Sequence, residues 1–420
     1  MTGPKGLAIL LESEVVATLE RTASTLRITY RDDAPGSTPL SLSLPRGVRH
    51  SGTAVTRFLN GLVPEDANAR AAIARQYRID PSDLMGLLHA IGKDCAGAVQ
   101  FCLDSEVEEL QSRAGELEPC SNSDIEARLA ALDMNEAASW TMPEEHWSLG
   151  GTQQKFALRR QGDLWFTAHG AAATSHIIKP GIRRMALQAL SEHATMAGAA
   201  RIGIPTATTS YQEFRSQSAI VVERFDRRPT PGGDLVRVHQ EDLCQATGNP
   251  EKYEDQGGPS AGDIARALRE FAATAAEAER AVRLFTDMVI FNTVVGAPDA
   301  HARNYAVLLA GDSLALAPMY DAATAAAYGR SDGSSAHVAM ATGSTRALDH
   351  LTAKDWSTFA RALRLDADYV TARVTHFAEQ APQAIIDVLE EIGTPEADEL
   401  RSRASEPLMR TAQRIVTALR

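Results

Sequence analysis

Apolar and polar positions alternate in short pieces over residues 7–30: Leu7-Ala-Ile-Leu-Leu, Val15-Val-Ala-Thr-Leu and Leu26-Arg-Ile-Thr-Tyr. A period of two sends successive side chains to opposite faces, so these pieces predict short antiparallel strands. Asp32-Asp-Ala-Pro-Gly-Ser supplies a turn, and Pro39-Leu-Ser-Leu-Ser-Leu-Pro45 is a further alternating piece closed by proline. From Val55 the period becomes helical, through Phe58, Leu59 and Leu62 and then Ala71, Ile73, Ala74 and Tyr77. Leu84, Leu87 and Leu88 form a stripe that predicts a helix over 81–92. Residues 1–104 therefore read as a small α+β domain. The stretch that follows is acidic and helix-prone (Glu106, Glu108, Glu109, Glu116, Glu118), so 105–146 is expected to be a helical connector with a solvated face.

Strand signals return from Trp147 in Lys155-Phe-Ala-Leu, Leu164-Trp-Phe-Thr and His176-Ile-Ile-Lys179. A helix is expected over 184–200. More strand is expected from Ile202-Gly-Ile-Pro-Thr-Ala, and a buried strand in Ser218-Ala-Ile-Val-Val-Glu-Arg-Phe225. Beyond Pro229-Thr-Pro-Gly-Gly the pattern is mostly helical. Its longest run spans 261–295 with a break expected near Thr274–Glu277, and the part from Ala281 to Val295 is apolar nearly all round, which predicts burial. Gly296-Ala-Pro298 stops that helix, and 351–420 is helical throughout. The strand-rich section covers 147–230 and the helical section 231–420.

The totals narrow the function classes. A chain of 420 residues with 44% hydrophobic and 23% charged residues can build two or three ordinary globular domains. Its net charge of −12 argues against binding nucleic acid through its overall field. Cys95, Cys102, Cys120 and Cys244 form neither a Cys-x-x-Cys pair nor a ligand cluster, so they read as buried thiols in a reducing cytoplasm. No signal-peptide core and no apolar run of membrane-spanning length is present in the sequence.

Candidate chemistry centres on a polar island between apolar runs, where Asp299 and Asn304 stand five positions apart and Asp321 follows in Ala-Pro-Met-Tyr320-Asp. Protein-kinase catalytic loops use that Asp-to-Asn spacing, with a later Asp on Mg²⁺. An aspartate beside an acceptor hydroxyl orients it and takes its proton, while Asn and Asp oxygens suit a hard cation. The spacing alone is also compatible with a polar turn. The same holds for Ser148-Leu-Gly-Gly-Thr-Gln-Gln-Lys155, where adjacent glycines allow close backbone approach to phosphate although neither Gly-x-Gly-x-x-Gly nor a Walker pattern is present. Lys179 ends an apolar strand, where a lysine either snorkels or holds phosphates, and Glu192 on the next helix is a possible partner for it. Glu223-Arg-Phe-Asp-Arg-Arg228 reads as an exposed charged turn or as a hinge beside adenine. His239 lacks a second histidine at ligand spacing. His301 is read as a loop-orienting or phosphate-facing residue. The order of strand-rich section, junction and helical section matches a two-lobed kinase with ATP between the lobes.

In order, these stretches resemble the HipA family of serine/threonine kinases, the toxin halves of bacterial toxin–antitoxin pairs. The resemblance spans nearly the whole chain. It rests on Pro39–Pro45, Ile91-Gly-Lys-Asp with Gly97-Ala-Val, Ser148–Lys155, His176-Ile-Ile-Lys-Pro180 and Glu223-Arg-Phe-Asp-Arg227. It continues through His239-Gln-Glu-Asp-Leu-Cys-Gln245, Lys252-Tyr-Glu with Gly257-Gly-Pro259, Asp299-Ala-His-Ala-Arg-Asn304 and Pro318-Met-Tyr-Asp321. It implies an α/β (α+β) fold: a two-lobed kinase-like body, an extra N-terminal α+β domain and a mostly helical C-terminal lobe. It implies Asp299 as the catalytic residue, Asn304 and Asp321 as Mg²⁺ ligands, and Lys179 on the phosphates. Gly150, Gly151, Thr152, Gln153, Gln154 and Lys155 become the phosphate loop, and Glu223, Arg224 and Phe225 line the adenine site. His301 and Tyr320 complete the nucleotide-binding set, and Ser148 matches the autophosphorylated serine. ATP and Mg²⁺ are the implied cofactors, and a small helix-turn-helix antitoxin is the implied partner, through which DNA is reached. An aminoacyl-tRNA synthetase, notably the glutamyl enzyme, is the implied substrate, with growth arrest or persistence as the outcome. The chain departs from the family's usual pattern in carrying Ala300 where Gly is common and Gly151 or its neighbour where Ala is common.

Two other readings share these residues: a small-molecule phosphotransferase of the aminoglycoside or sugar type, and an inactive co-repressor module. Activity on synthetases against activity on antibiotics or sugars separates the first. The intact set Lys179, Asp299, Asn304 and Asp321 argues against the second.

Overall fold

The computed structural model describes residues 4–23, 25–112, 115–134, 145–329 and 336–419, so part of the expected connector (113, 114 and 135–144) and Arg420 lie outside the described residues. The chain divides into two compact units. The first comprises 1–183, 211–241 and 308–312, and the second comprises 184–210, 242–307 and 313–420.

In the first unit the predicted alternating pieces form Gly6–Leu11, Glu14–Arg21 and Leu26–Tyr30. They lie in a five-stranded sheet between His50–Ser51 and Val99–Cys102. The helices Thr53–Gly61, Ala67–Tyr77 and Leu84–Ile91 follow the predicted helical period. Asp66 and Asp83 each cap a helix by accepting a backbone N–H with the side chain. The piece at 39–45 is not a strand. Tyr30 Oη accepts from Leu40 N and donates to Leu44 O, which folds the segment back with Leu40 and Leu44 buried.

The second sheet of this unit has six strands, in the order Thr209–Phe214, Gln217–Glu223, His176–Lys179, Phe156–Gln161, Leu164–Gly170 and Gly115–Cys120. Gly115–Cys120 falls inside the expected helical connector. It pairs antiparallel with Leu164–Gly170 as an edge strand, and its exposed Glu116 and Glu118 keep that edge charged. One apolar core runs from Leu7 and Ile9 through Phe58 and Leu88 to Phe156, Ile178 and Val221, so both sheets share it.

The second unit is chiefly helical. The long run breaks where expected into Ala261–Phe271 and Ala275–Val294, with Thr274 Oγ1 accepting from Glu277 N as the cap. The tail forms Ala353–Ala362, Ala367–Ile392 and Pro395–Ala418, and Ala367–Ile392 packs against Gln188–Arg201, Ala275–Val294 and Pro395–Ala418. No helix among the described residues is long and apolar enough to cross a membrane.

Two histidines of the first unit, half-buried His176 and buried His239, lower its stability in acid. Burial, aided by Arg160 and Arg159, pushes His176 down to about 4, and burial pushes His239 down to about 4. Both are neutral in either state above the unfolded value near 6.5. Below it the unfolded chain binds protons that the folded chain refuses, so stability falls as pH drops from about 6.5 to 4 by on the order of 3 kcal/mol per histidine. Urea midpoints measured at pH 7.5, 6.5, 5.5 and 4.5 should be level between the first two and fall over the last two. A flat series would contradict this.

Candidate active site

The predicted site residues divide between the two units. In the first, Trp147–Ser148 pairs parallel with Asp94–Cys95, which fixes where the Gly150–Lys155 loop begins. Ser148 is fully buried and its Oγ donates to Leu62 O at 2.5 Å. Lys155 Nζ closes the loop by donating to Gly150 O at 2.7 Å. Gly151 has φ +94°, a conformation that L side chains rarely adopt, and a Cβ there would lie 2.8 Å from Lys155 Nζ. Thr152 is exposed, and Gln154 is buried with an Oε1 that finds no hydrogen-bond partner. Gln153, next to it, takes part in a polar interaction of its own. Lys179 is buried at the end of its strand, in register with Ile220 of Gln217–Glu223.

The charged segment after that strand alternates. Glu223 is exposed and Phe225 half-buried, while Arg224, Asp226 and Arg227 point inward. Arg224 donates to both Asp226 oxygens (3.0 and 2.9 Å), to Asp94 Oδ2 (3.2 Å) and to Cys95 O (2.8 Å), and its backbone N–H donates to Ser175 O. Arg227 and Arg237 also donate to Asp94 Oδ1, at 2.8 and 3.0 Å. Burial pushes the Asp94 carboxyl up, but the guanidiniums of Arg227, Arg224 and Arg237 outweigh it and hold it well below the usual carboxylate range. Of the three residues expected to line adenine, Glu223 and Phe225 present side chains outward, whereas Arg224 belongs to a buried ion-pair cluster that the sequence reading did not find. Its signal was present: Lys93-Asp94 and Arg224-x-Asp226-Arg227 place charges directly against apolar runs.

The second unit mounts the polar island rigidly. Gly296 has φ +65° and stops the helix Ala275–Val294, whose Asn292 Nδ2 donates to Tyr305 Oη at 3.0 Å just past the island. Asp299 is exposed, and its backbone carbonyl accepts from His301 N at 2.8 Å and from Asn304 Nδ2 at 2.7 Å. Asn304 Nδ2 also lies 3.5 Å from Asp321 O. The Asn304 amide nitrogen thus ties together the backbones of both aspartates, and no described donor occupies its Oδ1. Asp321 has φ +57°, a strained region that aspartate tolerates better than most residues and that recurs at functional sites. Tyr320 Oη donates to Arg303 O at 2.6 Å, so Tyr320 holds the island in shape. His301 is buried, with Nε2 3.8 Å from Asp299 Oδ1. Burial lowers its pKa against the opposing pull of Asp299.

The donor set fits a small hard cation. Asn304 Oδ1 and the Asp321 carboxylate offer oxygen donors, and no group of three His, Cys, Asp or Glu side chains suited to a metal exists among the described residues. A site with one carboxylate and one amide oxygen, completed by water and phosphate, is the kind that Mg²⁺ takes.

The family model described as the HipA-like C-terminal domain matches residues 147–385, and the HipA N-terminal domain matches residues 7–102. The chain belongs to the HipA family. Similar proteins include "Putative kinase Y4mE" of Sinorhizobium fredii, 32% identical over 365 residues that cover 86% of this chain and 85% of that protein. Serine/threonine-protein kinase toxin HipA of Shewanella oneidensis is 28% identical over 390 residues, covering 88% and 86%. A solved structure of Shewanella oneidensis HipA, in complex with HipB and operator DNA, matches at a TM-score of 0.83 with 23% identity over 98% of each chain. The mixed α/β fold that the HipA resemblance implies is the fold of this chain.

Proposed function

We propose that this chain is an ATP- and Mg²⁺-dependent serine/threonine protein kinase that serves as the toxin of a toxin–antitoxin pair. The observation that carries the reading is Asn304, whose amide nitrogen spans the carbonyls of Asp299 and Asp321 while its oxygen stays available. Asp299 accepts the hydrogen bond of the acceptor hydroxyl, aims its oxygen at the γ-phosphorus and takes its proton. Asn304 and Asp321 hold Mg²⁺, which when bound neutralises charge on the phosphates. Lys179 and the Gly150–Lys155 loop bind the phosphates, Glu223 and Phe225 face adenine, and His301 and Tyr320 keep the island in place. The partner is a HipB-like helix-turn-helix antitoxin, and the substrate is an aminoacyl-tRNA synthetase, with the glutamyl enzyme favoured. Support for partner and substrate comes from family membership.

Labelled ATP, Mg²⁺ and host-cell extract test this directly. Label should appear on Ser148 and on a synthetase and be absent with an Asp299→Asn control. Equal labelling by the two proteins would refute the enzyme reading.

Ser148 also carries a regulatory expectation. Its hydroxyl sits wholly buried against a carbonyl, so a phosphate there would bring close to two negative charges into a buried site against the Leu62 carbonyl oxygen. Phosphorylation is therefore incompatible with this loop position. A Ser148→Asp protein should bind ATP at least about tenfold more weakly by calorimetry, about 1.4 kcal/mol, and lose transfer accordingly. Full activity in that variant would sink the idea.

A further inference from the structure

Asp299 has a partner that the catalytic reading leaves unused. Tyr253 Oη donates to Asp299 Oδ1 at 2.5 Å, and the same oxygen lies 3.8 Å from His301 Nε2. Among the described residues no donor reaches Oδ2, and the Asp299 side chain is 67% exposed. We propose that Tyr253 is a positioning residue for Asp299: it holds Oδ1 so that Oδ2 is presented to the acceptor hydroxyl. This rests on the kinase reading above and adds a division of labour between the two carboxylate oxygens.

The surroundings of Tyr253 fit that role, and they give the Lys252-Tyr-Glu and Gly257-Gly-Pro259 stretches a purpose. The tyrosine ring meets His301 edge-on, with centroids 4.9 Å apart at 83°, while Lys252 Nζ stands 5.5 Å from its centroid. Lys252 O accepts from Ala302 N at 3.2 Å, so the segment is bonded to the island it serves. Glu254 Oε2 accepts from Ala341 N at 2.6 Å and anchors the other side. Tyr253 O accepts from Gln256 N and Gly258 N, at 3.0 and 2.9 Å, which closes a tight turn. Any Cβ at Gly258 would lie 2.7 Å from Tyr253 O and 2.8 Å from Glu251 O, so the turn accommodates only glycine there. A hydroxyl mounted on this many backbone bonds has little freedom. A carboxylate held by it gives up rotation that would otherwise have to be frozen on reaching the transition state.

The test uses the full chain, Mg²⁺, labelled ATP and a degenerate serine/threonine peptide library as acceptor. Tyr253→Phe keeps the ring against His301 and removes only the hydroxyl, so its thermal midpoint should stay within about 2 °C of wild type. Its kcat should fall about 10- to 100-fold with the KM for ATP unchanged. In an Asp299→Asn background the same change should have no further effect, because Tyr253 acts through that carboxylate. A Tyr253→Phe protein as fast as wild type or faster, or an effect that multiplies with Asp299→Asn, overturns the positioning role and leaves the kinase reading intact. An Asp299→Asn protein as active as wild type overturns both.

Discussion

The Asp299→Asn protein should fold and bind ATP like the wild type yet transfer phosphate about 10²- to 10⁴-fold more slowly, the range expected when a positioned general base is lost. The substitution is clean because the bonds from Asn304 Nδ2 and His301 N go to the Asp299 carbonyl, which asparagine keeps, and the bond that Tyr253 Oη donates to Oδ1 can still be accepted by an amide oxygen. The side chain is exposed, so neither burial nor packing changes. Steady-state kinetics and a melting curve on the same sample check it. A loss of kcat accompanied by a matching fall in thermal midpoint would mean that the residue is structural.

The largest stability effect should come from Asp94→Ala. Asp94 accepts from Arg224, Arg227, Arg237 and Thr174, all of them buried. Removing it leaves Arg224 and Arg227 to share Asp226, and Arg237 against the Ala171 carbonyl. Breaking a buried pair by deleting one partner costs about 3–5 kcal/mol, since the remaining charges stay desolvated. A protein whose whole stability is roughly 5–15 kcal/mol would then lose between about a fifth and all of it. Urea unfolding with two-state fitting measures it, and a loss under about 1 kcal/mol would show that water reaches the cluster.

The sequence disclosed more of the fold where one face of an element is buried and the other wet. The strands at Gly6–Leu11, Glu14–Arg21 and Leu26–Tyr30 and the split helix at Thr274 follow the patterns that physics requires of such elements. Gly115–Cys120 was read as connector because an edge strand with solvent on both sides has no apolar alternation to display. At 39–45 a strand-like alternation was satisfied by two leucines packed around one tyrosine hydroxyl, with no ladder. Within the island, spacing and chemistry together singled out Asp299, Asn304 and Asp321. Charges set against apolar runs at Lys93-Asp94 and Arg224-x-Asp226-Arg227 marked buried ions, but not that Arg224 turns inward to pair with Asp94, because those two residues stand 130 positions apart. Tyr253 stayed hidden for the same reason: its contact with Asp299 joins residues 46 apart through a turn whose geometry only coordinates disclose.

The Asp94 cluster also dictates an order of events during synthesis. Asp94 leaves the ribosome with the N-terminal strands and helices, but Arg237 is made 143 residues later. At about 5–20 residues per second that is a wait of roughly 7–29 s. Until Arg224 and Arg227 follow, 130 and 133 residues after it, the carboxylate has none of the guanidiniums that neutralise it, and only Arg237 completes the set, so the early part of the chain cannot settle into its final core around it. Translation of this protein therefore passes through an obligatory incomplete stage. A stop codon placed before Arg224 should yield a product that proteases clear, however well its own strands and helices are encoded.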